Sequence, residues 1–335
     1  MKGSLKTFMK SLIDYAGLFP PAKLPLKDAI NEYAQLLESE NSWMLGRFII
    51  PISNLNELDE FLPLFKDTGP LRLSVLGGGG ESEKEYLKNI KENVSNIKNY
   101  RQKHGDKIEI EVIECKMPTV ALTEETLNQA TAALNQNNLY HFHEFSELPY
   151  VGINYSTDED ESDWDDNILP TIELLAKIDN AGMKLRCGGI TKEAFPSVEQ
   201  VAAMIQTCAI KKIPLKFTAG LHHPIRHFAD EYDEYMHGFI NTFTASIFAS
   251  TFPIPKTDQE KFRMFILLSH MIDDQTPENF SFEEDRIIWQ VRDDRETTFE
   301  LTSENITDAR KENAISYGSC SFEEPIDDLT ELGWI

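Results

Sequence analysis

Apolar residues recur along this chain in two alternating rhythms. Short runs dense in Ile, Val, Leu and Phe, at 44–52, 71–76, 107–116, 139–145, 183–187 and 214–218, read as strands. Residues 11–18 supply another ahead of them, ending in the Pro-rich loop 19–25. Between the runs, apolar positions recur three and four apart and predict amphipathic helices at 26–39, 55–66, 82–103, 124–136, near 170–181 and at 198–211. Several of these carry start signals. Asn54 with Glu57, and Ser197 with Gln200, have the spacing of a capping box, and Thr123 is placed to cap the helix after it. Past the seventh strand, helices near 231–250 and 258–272 lead to an eighth strand at 282–290 and a last helix at 303–315.

Strands separated by helices at intervals of about 25–45 residues are parallel strands joined by crossovers, because a hairpin needs only a short turn. The interval is close to the roughly 30 residues per unit of a (β/α)8 barrel. The rival, a doubly wound open sheet, brings a G-x-G-x-x-G fingerprint that this chain lacks. The expected architecture is therefore α/β: a TIM-like (β/α)8 barrel over residues 1–315 as a single domain, with 316–335 as a C-terminal extension packing on it.

Composition narrows the partners. The 335 residues include 32 Lys and Arg against 56 Asp and Glu, a formal charge of −24, with 41% hydrophobic and 26% charged residues, an ordinary globular balance. Nucleic acid and anionic membrane surfaces are bound through clustered cations, and no basic run is present. A small anionic metabolite stays open as a partner, since a few cations in a cleft can oppose the global field. Much of the acidic excess lies in 157–166, in 278–298 and after Glu323. The N-terminal stretch has no uninterrupted apolar core, and 239–255 and 262–272 are too short or too polar to span a bilayer. Four widely spaced cysteines without a CxxC pair fit reduced thiols, so a cytoplasmic protein is expected.

Barrel enzymes carry their chemistry at the carboxyl ends of the strands. There the period of two places Ile110, Val112, Glu114 and Lys116 on one face, apolar residues giving way to an acid–base pair. In the seventh strand Lys216 and Thr218 share a face, and Gly220, His222 and His223 follow. A lysine among apolar neighbours gives up its proton more easily, as a Schiff-base nucleophile or general base must, and histidines relay protons near neutral pH. Arg186 precedes Gly188 and Gly189, a fork beside approachable backbone N–H groups that suits an anion. In the fifth strand His141 and His143 share one face, and Tyr140, Phe142 and Glu144 the other; the bulkier apolar pair favours Glu144 inward. Asp14 interrupts an apolar stretch and requires a partner if buried. The glycines 77–80 read as a mouth loop, and Cys320, between Ser319 and Ser321, as part of a packed tail.

Lys216 to Gly220, KFTAG, resembles the Lys-Thr-Ser-Thr-Gly strand of deoxyribose-phosphate aldolases, whose lysine forms the Schiff base. Arg186 to Ile190, RCGGI, is similar to the Lys-Ala-Ser-Gly-Gly-Ile strand of that family, with the order of the two motifs reversed and arginine in place of the second lysine. The resemblance implies a reactive lysine at a barrel mouth. The strings KFTAGLHHP and SYGSCSFEEP also resemble those of a family of conserved bacterial proteins, which implies no particular activity.

The leading expectation is a cofactor-free and metal-independent lyase, aldolase or isomerase acting on a small carboxylate- or phosphate-bearing metabolite. Lys216 is its nucleophile or base, Glu114 and Lys116 its acid–base pair, Arg186 with Gly188, Gly189, Thr218 and Asp14 its binding groups, and His222, His223 and Glu144 its proton carriers. Two alternatives stand beside it: a metal-dependent hydrolase or isomerase built on His141, His143, His222 and His223, and a non-catalytic barrel that binds or scaffolds. Association of barrels into homo-oligomers is a further expectation.

Overall fold

The computed structural model describes residues 1–118, 120, 122–148, 151, 164, 168–291 and 297–335. Among them, strands β1(Ile13–Tyr15), β2(Leu45–Pro51), β3(Leu71–Gly78), β4(Ile108–Lys116), β5(Tyr140–Glu144), β6(Ala181–Arg186) and β7(Leu215–Thr218) run close to their expected positions. Two small antiparallel sheets follow: β8(His227–Ala229) with β9(Glu234–Met236), and β10(Phe280–Phe282), β11(Arg286–Val291) and β12(Thr297–Thr302). Then β13(Ala314–Ser319) closes a parallel barrel in the order β1-β13-β7-β6-β5-β4-β3-β2.

The barrel is thus as expected, but its eighth strand is not 282–290. That run folds back on itself, Phe282 facing Ile287, and β11 takes β12 as its second partner. The expected helix 303–315 ends at Glu312, and the residues after it pair with β7. Residues 316–319 therefore belong to the barrel, and the expected boundary at 315/316 falls inside its last strand.

The chain divides into two compact units, Ile13–Lys184, and Met1–Leu12 with Leu185–Ile335. The helices are α1(Gly3–Met9), α2(Leu26–Leu37), α3(Glu83–His104), α4(Glu124–Asn135), α5(Leu169–Leu175), α6(Val198–Lys211), α7(Phe239–Thr251), α8(Asp258–Asp273), α9(Ser303–Glu312) and α10(Glu323–Glu331). The longest, α3, is set by its ends. The Ser82 hydroxyl accepts the Glu85 N–H at 3.3 Å, Glu83 and Glu85 occupy the positive end of the dipole, and Arg101, Lys103 and His104 the negative end. The helix expected at 55–66 is instead two 3-10 segments, Ile52–Glu60 and Leu62–Phe65, the second with Pro63 in its first turn, where a missing N–H does no harm.

In the unit Ile13–Lys184, β4 carries a bulge. Leu73 faces Ile110 while Ser74 faces Val112, so Glu111 is the extra residue and Ile110 and Val112 point to opposite faces. The expected single face of Ile110, Val112, Glu114 and Lys116 holds only from Val112 onward. In the other unit, Phe217 and Tyr317 pack on Phe243 of α7, which leaves Lys216 and Thr218, on the opposite face of β7, inside. Among the described residues no helix is long and apolar enough to cross a membrane.

Candidate functional site

Register brings three charged side chains of the unit Ile13–Lys184 to one face. Glu114 stands opposite Phe142, and Lys116 opposite Glu144, which stands opposite Lys184. The other face of β5 packs on α3, where the Tyr86 hydroxyl meets His143, so Glu114, Glu144 and Lys184 lie on the inner face. The Lys184 ammonium is 2.7 Å from Glu114 and 2.8 Å from Glu144, and Ser74 donates to Glu114 at 2.6 Å. All are enclosed: Glu114 is 2% exposed, Lys184 6% and Glu144 8%. Burial by itself strips the lysine of its charge; here the two carboxylates outweigh burial and raise its pKa to about 12, so the group holds an ammonium between two acids. Glu144 is the last residue of its strand and Glu114 is near the end of β4, where barrel chemistry is done.

The opposite face of β5 is polar in another way. His141 Nδ1 and His143 Nε2 are 2.8 Å apart, and His143 Nδ1 is 3.1 Å from the Tyr86 hydroxyl. Burial lowers His141 to about 4; burial and then the His141 charge hold His143 well below its ordinary value. Both rings are neutral at physiological pH and lie under the helix layer, turned away from Glu144. Among the described residues no group of three or more His, Cys, Asp or Glu is placed to hold a metal ion.

Asp14 is fully buried on β1 and accepts the Arg47 N–H at 2.6 Å. A side chain at Gly46 would fall 2.1 Å from its carboxylate, so that glycine makes room for it. Lys116 is exposed at the end of β4, and the expected pair with Glu114 does not form; the Glu114 partner is Lys184.

In the other unit Lys216 is buried on the inner face of β7, and the Thr218 carbonyl accepts the Cys187 N–H at 2.8 Å. Gly188 and Gly220 meet backbone to backbone: a Cβ on Gly188 would lie 2.7 Å from the Gly220 Cα, and Gly220 has a φ of 67° that favours glycine. A Cβ on Gly189 would likewise fall 2.6 Å from the Ala194 Cβ. The Arg186 side chain is exposed and donates to the Gly188 carbonyl at 3.3 Å. His222 meets Glu324 at 3.0 Å, and His223 meets Asp328 at 2.6 Å. The acidic loop 157–166 lies outside the described residues except for Trp164.

Lys184, Ser74 and Glu324 are the site residues that the sequence reading passes over. For Lys184 a signal existed: in β6 the period of two puts it on the face of Arg186, with Met183 and Leu185 on the other.

No family model matches the chain, and no curated protein matches it. Among solved structures, the chain is similar to the carboxyl transferase domain of pyruvate carboxylase from Rhizobium etli, a single-substitution variant with pyruvate. The identity is 11% and the TM-score 0.38, over 82% of this chain and 50% of that one. The chain spans about half the length of that structure. The class of protein, a (β/α)8 barrel, is defined by the chain's own strand order.

Proposed function

We propose that the chain is a barrel enzyme of the lyase, aldolase or isomerase type, acting on a small metabolite that bears a carboxylate or phosphate. The observation that carries this reading is the ammonium of Lys184 between the carboxylates of Glu114 and Glu144. Barrel interiors are ordinarily filled by branched apolar side chains, and taking ions out of water costs several kcal/mol each before pairing. Three such groups near the carboxyl ends of their strands support a working site rather than a packing device.

The roles follow from charge. Lys184 keeps its proton up to about 12, so it is a poor amine nucleophile and a good fixed cation. It stabilises the negative charge that grows on a carbonyl oxygen as the adjacent carbon loses a proton. Glu114 or Glu144 takes that proton as general base. The enolate so formed is common to aldol cleavage, elimination and isomerisation. Where Schiff-base chemistry is used, the amine falls to Lys216, enclosed on the inner face of β7.

Solvent exchange tests the reading. Purified protein in deuterated water, with a panel of small aldehydes and keto acids bearing carboxylate or phosphate, is expected to exchange the hydrogen next to the carbonyl of at least one, seen by proton NMR. Removing the general base by Glu114→Gln or Glu144→Gln is expected to slow exchange about 100-fold. Full exchange in both variants overturns the carboxylate role, and no exchange with any member overturns the substrate class. Borohydride trapping with peptide mapping separates a Schiff base on Lys216 from direct enolisation.

A further inference from the structure

The loop after β7 and the turn after β13 bring together three side chains that the lysine–glutamate group does not use. These strands pair in parallel with Thr218 opposite Gly318, so the chain leaves both side by side. Cys320 Sγ lies 4.0 Å from Nδ1 and 3.9 Å from Nε2 of His222, and Glu324, in the first turn of α10, contacts Nδ1 at 3.0 Å. The carboxylate holds Nδ1, and the sulfur stands about equally far from the two ring nitrogens. The flanking serines hold the turn: Ser319 Oγ accepts the Ser321 N–H at 3.4 Å, and Ser321 Oγ accepts the Glu324 N–H at 3.2 Å. Cys320 is 8% exposed, whereas Cys115, Cys187 and Cys208 are fully enclosed. A thiol at a strand-to-helix turn, beside a ring that a carboxylate orients, has the parts of an activated nucleophile.

We propose that Cys320 is a nucleophilic thiol, with His222 as its proton partner and Glu324 as the residue that positions the ring, and that it adds reversibly to an uncharged aldehyde. This centre shares no residue with the lysine–glutamate group and stands or falls separately from it. Burial opposes a charge on His222, but contact with Cys320 and Glu324 outweighs burial and raises its pKa to about 9. Near neutral pH the ring is an imidazolium, and it is the thiolate form of Cys320 that reacts beside it. The other titratable groups nearby are His223, paired with Asp328 and packed edge-on to His227, and Tyr232, whose hydroxyl is raised by burial, by Glu231 and by the charges of Cys320 and Glu324.

The addition is balanced within the site. The sulfur electron pair forms a bond to the carbonyl carbon, and the C=O π pair moves to oxygen. That oxygen takes the His222 proton, giving a thiohemiacetal and a neutral imidazole. Nothing is oxidised and nothing leaves, so the reverse step returns the aldehyde. The Glu324 carboxylate, on the ring beside the sulfur, adds negative charge that turns away anionic electrophiles and leaves uncharged ones.

Iodoacetamide alkylation followed by peptide mass mapping, across a pH series, is the test. Cys320 is expected to be the cysteine modified in the folded protein, about tenfold faster near pH 7 than the same cysteine in the urea-unfolded chain. His222→Gln is expected to remove that rate advantage, and Glu324→Gln to remove part of it. Propanal in excess is expected to slow alkylation, and dilution to restore it. Alkylation of Cys320 no faster in the folded wild-type protein than in the unfolded chain overturns the activated thiol even if the His222 variant does not fold. Alkylation unaffected by propanal overturns the aldehyde as ligand.

Discussion

Both faces of β5 bury ionisable side chains, Glu144 on one and His141 with His143 on the other, yet they reach opposite states. On the inner face Glu144 helps to hold a protonated Lys184; one residue earlier, on the outer face, His143 joins a neutral chain with His141 and Tyr86. Burial disfavours charge on both sides. The difference lies in the partners, two carboxylates on one face and neutral donors and acceptors on the other. A polar group in a barrel wall is therefore not by itself a sign of chemistry. A charge retained against burial is the stronger sign, because it has been stabilised at a cost that neutral hydrogen bonding avoids.

Breaking the charged face is expected to have the largest effect. Lys184→Met leaves two buried carboxylates without their counter-ion and is expected to cost about 3–5 kcal/mol in urea unfolding. Replacing the whole group, with Glu114→Leu, Lys184→Met and Glu144→Leu together, is expected to restore that stability or add about 1–4 kcal/mol while abolishing solvent exchange. Retained exchange in this triple variant would reduce the group to packing.

The neutral face is tested by acid. An unfolded histidine binds its proton near 6.5, whereas folded His141 does so only at about 4, and His143 lies well below its ordinary value. The unfolded chain therefore takes up more protons as pH falls, and stability present above 6.5 is lost toward 4, by roughly 3 kcal/mol for His141, with a loss of the same sign for His143. The double variant His141→Gln, His143→Gln is expected to show a shallower acid slope in thermal unfolding. Lys184, with its raised value, contributes no slope there, because its share of stability is lost only as pH rises past its unfolded value toward about 12.

Smaller effects sharpen the contrast further. His143→Phe strands the Tyr86 hydroxyl and His141 Nδ1 and is expected to cost about 1–3 kcal/mol. Tyr86→Phe removes a single hydrogen bond, about 0.5–1.5 kcal/mol, and is expected to leave the acid slope in place. Equal losses from Tyr86→Phe and Lys184→Met would erase the distinction between the two faces.

Much of the barrel was legible in the chain. The alternation of apolar runs and amphipathic stretches located β1 to β7, and the Ser197–Gln200 box marked the start of α6. The eighth strand was not legible. Residues 282–290 and 314–319 are both short apolar runs, and no local rule separates a strand that closes a barrel from one that pairs with a hairpin neighbour. The bulge at Glu111 was hidden for a similar reason, since it exists only relative to β3.

The candidate site divides along the same line. The period of two indicated that Glu144 and the histidines lie on opposite faces, because side-chain direction along one strand is a local property. It also suggested Lys116 as the partner of Glu114, two residues along the same strand. The partner is Lys184, two strands away across β5, reached by a long side chain over the inner face. Local pattern determined which elements form and which residues share a face, since both follow from backbone geometry within a few residues. Register and closure decided which charges meet, because the distances between strands are set by pairings far apart in the chain.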